Sequence, residues 1–188
     1  MLYTGKGDGG TTKVLDSKER VPKSSPLPEC LGTLDELNSF IGLCKVCASD
    51  EPNFFVRIGK RKRHVSEILH GVQEVLFVIQ AETAGAKKRV KKERVTEVET
   101  IVNTIEKVIP PITKFSIAGG TELAALLDVA RTLARRAERR MSGVEAEGLR
   151  TFSPHTKAYA NRLSSLLFAL ARLANAKSGV KEEAPRYK

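Results

Sequence analysis

The chain has 188 residues and a mass of 20.6 kDa, which leaves room for one domain of ordinary size. With 41% hydrophobic and 29% charged residues it can build a core, which excludes a disordered tail, and it has no apolar run of about 18 residues, which excludes a membrane span. Lys and Arg number 32 against 22 Asp and Glu, and the net charge of +10 suggests an anionic partner: nucleic acid, a phosphorylated small molecule or an acidic surface.

Three cysteines argue against a disulfide framework and for a reducing compartment. The opening Met-Leu-Tyr-Thr-Gly-Lys-Gly-Asp has the character of neither a signal peptide nor a transit peptide, so a cytoplasmic location is expected. Aromatics are 5% and Trp is absent, a poor composition for stacking on single-stranded nucleic acid.

Residues 1–30 collect Gly, Thr, Ser, Pro and Lys without a helical period and read as an irregular arm. Thr33 with Glu36 has the spacing of a capping box and predicts the first helix start there. Leu34, Leu37, Ile41, Cys44 and Cys47 then recur at three- and four-residue steps as one apolar stripe. A second helix is expected from about 65 to 84, with Ile68, Leu69, Val72, Leu76 and Ile79 inward. A third carries Val95, Val98, Ile101, Val102, Ile105 and Val108 and stops before Pro110 and Pro111. Thr121 caps a fourth, whose apolar face is Leu123, Leu126, Leu127, Ala130, Leu133, Ala134 and Ala137. Ser153-Pro154 opens a fifth, lined by Leu163, Leu166, Leu167, Leu170 and Leu173, with Gly179 as its end. No strand is expected after the arm. The fold class that follows is all-α: a five-helix up-and-down bundle over 31–178, an arm over 1–30 and an exposed tail over 179–188, together one domain over 1–188. Helix five also carries many alanines around its Leu stripe. Such a helix is either central to the bundle or packed against another subunit, and oligomerisation is the expectation drawn from it.

Gly5-Lys6-Gly7-Asp8-Gly9-Gly10 matches G-x-G-x-x-G by letter, but no buried strand precedes it and it is not a Walker loop. The stretch nevertheless offers glycine N–H groups, the hydroxyls of Thr4, Thr11 and Thr12, and Lys6 and Lys13, which are the groups a polyphosphate requires. A flexible Gly-rich terminus is the other reading. Arg131, Arg135, Arg136, Arg139 and Arg140 crowd one helix with Glu138 as the single acid among them. Their mutual repulsion favours a nearby anion, against the plainer reading of an exposed basic helix. The runs Lys60-Arg61-Lys62-Arg63 and Lys87-Lys88-Arg89, with Lys91-Lys92, read as solvated surface in connections. Cys44-x-x-Cys47 falls on a core stripe and reads as buried thiols. Glu67-x-x-His70 lacks the second copy that a di-iron site needs, so no metal site is expected.

Five segments in order resemble the PduO-type ATP:corrinoid adenosyltransferases. They are Tyr3 to Thr12 of the arm, Leu31-Gly32-Thr33-Leu34-Asp35-Glu36-Leu37-Asn38-Ser39, Phe115-Ser116-Ile117-Ala118-Gly119-Gly120-Thr121, the block from Ala130 to Arg140, and Asn161-Arg162-Leu163-Ser164 with Leu166-Leu167-Phe168. Departures are Gly5 and Lys6 where Lys or Arg and Thr are usual, Ala118 for proline, Ser165 for aspartate and Gln80 for glycine. The insert at 53–64 and the basic stretch at 87–94 also depart from the pattern.

The resemblance implies a homotrimer with active sites between subunits and a transfer of the 5′-deoxyadenosyl group of ATP to the cobalt of a reduced cobalamin, giving adenosylcobalamin and triphosphate, with Mg2+ accompanying the nucleotide. It assigns Thr4, Gly5, Lys6, Gly7, Thr11, Thr12, Lys13 and Lys23 to the phosphates, and Arg135, Arg136, Glu138, Arg139 and Asn161 to the rest of the nucleotide site. Phe115 would fill the lower face of the corrinoid, and Asp35 with Arg131 would form an intersubunit ion pair. A reductase and an adenosylcobalamin-dependent enzyme are implied as partners; membrane and nucleic acid are not. The competing class is a protein without catalysis, either a nucleotide or corrinoid sensor or a basic nucleic-acid-binding bundle.

Overall fold

The computed structural model describes residues 2–15 and 18–187; Met1, Asp16 and Ser17 of the expected arm and Lys188 of the expected tail lie outside the described residues. Five helices dominate: α1 (Pro26–Ser49), α2 (Val65–Thr83), α3 (Lys92–Glu106), α4 (Glu122–Ala146) and α5 (Pro154–Lys177). Neighbouring pairs are α2 with α1, α1 with α4, α4 with α5, and α5 with α3. The core inside this ring buries Leu34, Leu37, Ile41, Leu69, Leu76, Ile79, Ile101, Ile105, Leu127, Leu163 and Leu166, the residues that the three- and four-residue spacing turns to one side of each helix.

Two helix starts follow their local chemistry. The Ser153 hydroxyl accepts from Thr156 N–H at 3.2 Å with Pro154 in the first turn, and the Thr121 hydroxyl accepts from Ala124 N–H at 3.2 Å. The expected start of α1 is corrected. The helix begins at Pro26, and Thr33 lies inside it, donating to Glu29 O at 2.8 Å, so no Thr33–Glu36 capping box forms. Pro26 and Pro28 lengthen the helix rather than block it, because first-turn positions have no intrahelical N–H bond to lose.

Strands do occur beyond the arm, against expectation. Phe55–Ile58 (labelled β3, after two strands of the arm) pairs antiparallel with Arg61–His64 (β4) around a turn at Gly59, whose φ is +59°. The charge run Lys60 to Arg63 masked the alternation; Val56 is buried while Arg57 is exposed. The arm is not wholly irregular either, since β1 (Thr11–Lys13) pairs with β2 (Arg20–Pro22).

Helix α5 takes the central position. Fourteen of its residues are buried, covered by α4 and α3 of its own chain, so its two apolar faces need no second subunit. No helix among the described residues is long and apolar enough to cross a membrane.

Cys30 and Cys44 are buried, Cys47 is partly so, and no cluster of three metal-ligating side chains exists among the described residues. Burial pushes the Cys30 and Cys44 thiols from 9.0 up to about 12. The unfolded chain therefore sheds these protons first as pH rises past 9.0. The stability they hold is complete below that value and is lost progressively toward pH 12. A Cys30→Ala, Cys44→Ala variant should show a shallower fall of stability in this alkaline range, read by urea unfolding at a series of pH values.

One buried carboxylate staples the far end of the bundle. Glu82, with its side chain 1% exposed, accepts from Ser153 N–H at 2.8 Å and from the Thr156 hydroxyl at 2.5 Å, and meets Arg89 at 3.2 Å. It satisfies a free N–H at the start of α5 while tying α2 to it. Glu82→Ala should cost about 2–4 kcal/mol of unfolding free energy in urea titrations, because the α5 start loses its acceptor and Thr156 its partner.

Candidate active site

The five arginines of α4 divide by partner. Arg136 forms an ion pair with Glu36 of α1, Arg140 pairs with Glu29 of α1 at 3.3 Å, and Arg131 pairs with Asp128 at 3.1 Å. Arg135 and Arg139 are exposed and have no hydrogen-bond or ion-pair partner among the described residues. Residues 131, 135 and 139 recur every four positions, so they form a ladder on one face, while 136 and 140 turn toward α1. Two like charges one helical turn apart repel by roughly 1 kcal/mol even in water. An anion between them relieves that repulsion.

Beside this ladder α4 and α5 contribute a polar pair. Asn161 Nδ2 donates to Glu138 Oε1 at 2.8 Å, and Arg162 Nη1 donates to Asn161 Oδ1 at 2.8 Å. Glu138 stands three residues from Arg135 and next to Arg139. Of the expected nucleotide set, Arg135, Arg139, Glu138 and Asn161 are thus gathered, and Arg136 is engaged with α1.

The arm is shaped by its own contacts. Turns close through Asp8 N–H to Gly5 O at 3.2 Å and Gly10 N–H to Gly7 O at 3.1 Å, with Gly5 and Gly10 at φ +67° and +74°. The Arg20 guanidinium donates to Lys6 O at 2.6 Å, to Thr11 O at 2.7 Å and to the Thr11 hydroxyl at 2.8 Å. Lys23 lies across Gly7: a Cβ built there would stand 3.1 Å from Lys23 Nζ. The structure therefore brings Lys23 to the glycine-rich turn. Thr4, Gly5 and Lys6 are exposed, Gly7 is partly covered, and Thr11, Thr12 and Lys13 form β1.

Among the described residues no hydrogen bond or ion pair joins Thr4, Lys6, Lys13 or Lys23 to Arg135, Arg136, Glu138, Arg139 or Asn161. Asp35 is exposed on α1 and is not paired with Arg131, whose guanidinium sits 5.7 Å from the centre of the Phe168 ring.

Phe115 occupies the connection between α3 and α4 and is 81% exposed. Arg135 lies about 20 Å along α4 from the Thr121 cap, by the rise of the helix. Motif reading did not single out Arg20 or Asp128, and it named Glu36 and Phe168 without their arginine partners. The three-residue step from Asp128 to Arg131 was readable as a helical pair; Arg20 carries no local signal.

The chain matches the family model described as cobalamin adenosyltransferase over residues 2–174. It is 37% identical over 178 residues to the corrinoid adenosyltransferase PduO of Citrobacter freundii, across 91% of this chain and 49% of that protein, so it spans about half of that relative's length. To the corrinoid adenosyltransferase of Bacillus subtilis (strain 168) it is 36% identical over 185 residues, across 95% of this chain and 89% of that one. A solved structure of a variant PduO-type ATP:corrinoid adenosyltransferase from Lactobacillus reuteri, complexed with cobalamin and ATP, superposes with a TM-score of 0.85 at 29% identity over 100% of both chains. The helical ring, the order of its sequence blocks and these matches together place the chain in the cobalamin adenosyltransferase family.

Proposed function

We propose that the chain transfers the 5′-deoxyadenosyl group of ATP to the cobalt of a reduced corrinoid and releases triphosphate. The observation that carries this reading is the couple Arg135 and Arg139, without a partner among the described residues, beside the Glu138–Asn161 pair in a chain of this family. The electron pair of Co(I) forms the bond to C5′, the bond from C5′ to oxygen breaks, and the triphosphate leaves with the electron pair of that C–O bond. No proton moves, so the site needs no general base.

The leaving group carries about four negative charges, and fixed cations stabilise it as that charge develops. Arg135 and Arg139 would meet it from α4, with Lys6, Lys13, Lys23, the hydroxyls of Thr4, Thr11 and Thr12, and the N–H groups of Gly5 and Gly7 around the phosphates. Glu138 and Asn161 would orient the nucleoside. Arg136 would act one step back, through its pairing with Glu36. Mg2+ would be held largely by phosphate oxygens and water, a mode that needs few protein ligands and suits a chain without a ligand cluster among its described residues. Phe115 would cover the lower face of the corrinoid and keep a donor ligand off the cobalt, which eases reduction to Co(I).

With no bond joining arm and ladder among the described residues, the complete site would form between subunits of a homotrimer. There the exposed Asp35 of one copy would reach Arg131 of the next. A cytoplasmic reductase and an adenosylcobalamin-dependent enzyme would supply and accept the corrinoid.

The test is an anaerobic incubation of the protein with ATP, Mg2+ and cob(I)alamin, followed in the visible spectrum. Appearance of adenosylcobalamin is the expected result. Binding of both ligands with no product would identify a sensor instead. Affinity for DNA or RNA that falls steeply with salt and ignores ATP would identify a nucleic-acid binder.

A further inference from the structure

We infer that Arg172 and Asn175, one turn apart on α5, are positioning residues for the loop that carries Phe115. This deepens the proposed adenosyl transfer and rests on that reading for its purpose, though not for its geometry.

The loop between α3 and α4 has no regular structure. Among the described residues, every hydrogen bond from Pro110 to Gly120 runs to α5 or to the tail after it. Arg172 Nη2 donates to Pro110 O at 2.9 Å, and Asn175 Nδ2 donates to Gly119 O at 2.9 Å. Thr121 N–H donates to Asn175 Oδ1 at 2.9 Å, closing the loop at the cap of α4. One side chain therefore holds where the loop begins, and the other holds where it ends. Gly119 and Gly120 have φ of +128° and +104°, and a Cβ on Gly120 would stand 2.2 Å from Asn175 Oδ1. The backbone comes this close because no side chain intervenes.

Burial makes the arrangement costly without a purpose. Arg172 is 8% exposed and Asn175 is 7%, among buried Leu170, Ala171, Leu173 and Ala174. An apolar residue at either position would continue the core, whereas a buried guanidinium needs its bonds satisfied. Arg172 Nε donates to Glu182 of the tail at 2.8 Å, and Ile117 N–H donates to Glu183 O at 2.8 Å. The tail is exposed as expected, yet it is tethered. The Phe168 ring stands near two guanidiniums, its centre 5.7 Å from Arg131 and 5.9 Å from Arg172, which links the loop anchor to the α4 ladder. Phe115 and both anchors line one open cleft of about 610 Å³. The loop thus presents an exposed aromatic ring from a backbone fixed at both ends, as precise placement against a ligand requires.

The experiment compares wild type with Asn175→Ala, Asn175→Asp and Glu182→Gln by hydrogen–deuterium exchange of segment 110–121, and then by the fraction of four-coordinate Co(II) corrinoid in the presence of ATP. Asn175→Ala should speed exchange of the Thr121 and Ile117 amides by about tenfold or more, while amides of α2 stay unchanged. It should lower the four-coordinate fraction and raise KM for the corrinoid, with KM for ATP unaltered. Asn175→Asp keeps the acceptor for Thr121 N–H and should recover part of both effects. Glu182→Gln, on the exposed tail, weakens the hold on Arg172 without opening the core and should speed exchange of the Ile117 amide, whose acceptor is the neighbouring Glu183 O. Unchanged exchange in Asn175→Ala, or a rise spread over the whole bundle, would overturn the assignment. Faster loop exchange with an unaltered Co(II) spectrum, in a wild type that makes adenosylcobalamin, would also overturn it. Absence of adenosylcobalamin from wild type would count against the adenosyl transfer, and the exchange data would still decide whether these residues hold the loop.

Discussion

Arg135→Ala should lower kcat for adenosyl transfer by about 10²- to 10³-fold, the loss typical when one preorganised donor to developing charge is removed. Stability should barely move, because the side chain is exposed and has no partner among the described residues. That separation is what distinguishes it from its neighbours. Arg136→Ala and Arg140→Ala each also remove an ion pair to α1, at Glu36 and Glu29. These pairs are largely solvent-exposed, so their loss should be small in unfolding measurements. Arg135→Lys restores the charge but not the planar fork and should recover only part of the rate. Steady-state kinetics with cob(I)alamin, alongside thermal unfolding of each variant, reads both quantities. A near-normal kcat in Arg135→Ala would remove α4 from the chemistry.

Phe115→Ala has the second large effect, and it depends on the starting oxidation state. With Co(II) corrinoid and a reductant, most of the activity should disappear, because a lower ligand returns to the cobalt and makes reduction harder. With cob(I)alamin supplied ready-made, the loss should be much smaller, and ATP affinity should be unchanged. Phe115 is 81% exposed, so removing the ring takes no core contact away and the fold should be untouched. The contrast between the two starting states is the discriminating readout. Equal losses from both would mean that the ring serves only to bind the corrinoid.

The helices were legible where one physical signal dominated. Ser153-Pro154 and Thr121 announce their helices through side chains that accept free N–H groups, and both starts are found there. The stripe through Leu34, Leu37 and Ile41 identifies a buried face correctly, while the start of the same helix was misread. Thr33 and Glu36 carry the letters of a cap, but Pro26 and Pro28 had already begun the helix. The ribbon of β3 and β4 stayed hidden because its charged residues face water and its buried set is short, Val56 with partly covered Ile58.

In the candidate site, the family blocks pointed to α4, but the partition of its arginines was not readable. Whether a guanidinium is free depends on Glu36 and Glu29, which lie about a hundred residues away in sequence on α1. Likewise the alanine-rich circumference of α5 left open a place inside the bundle or a contact with another subunit, and α4 and α3 of the chain bury fourteen of its residues. That no hydrogen bond or ion pair joins the arm's Thr4, Lys6, Lys13 or Lys23 to Arg135 or Arg139 among the described residues is a tertiary feature with no sequence signature.

The central claim is that cations on α4 hold the triphosphate while cobalt takes the sugar. The most direct measurement is the yield of triphosphate against adenosylcobalamin in one anaerobic reaction with ATP, Mg2+ and cob(I)alamin. The account predicts equal amounts of the two products, and neither product at a comparable rate in Arg135→Ala. ATP left intact beside fully reduced corrinoid, or phosphate released without a cobalt–carbon bond, would contradict it.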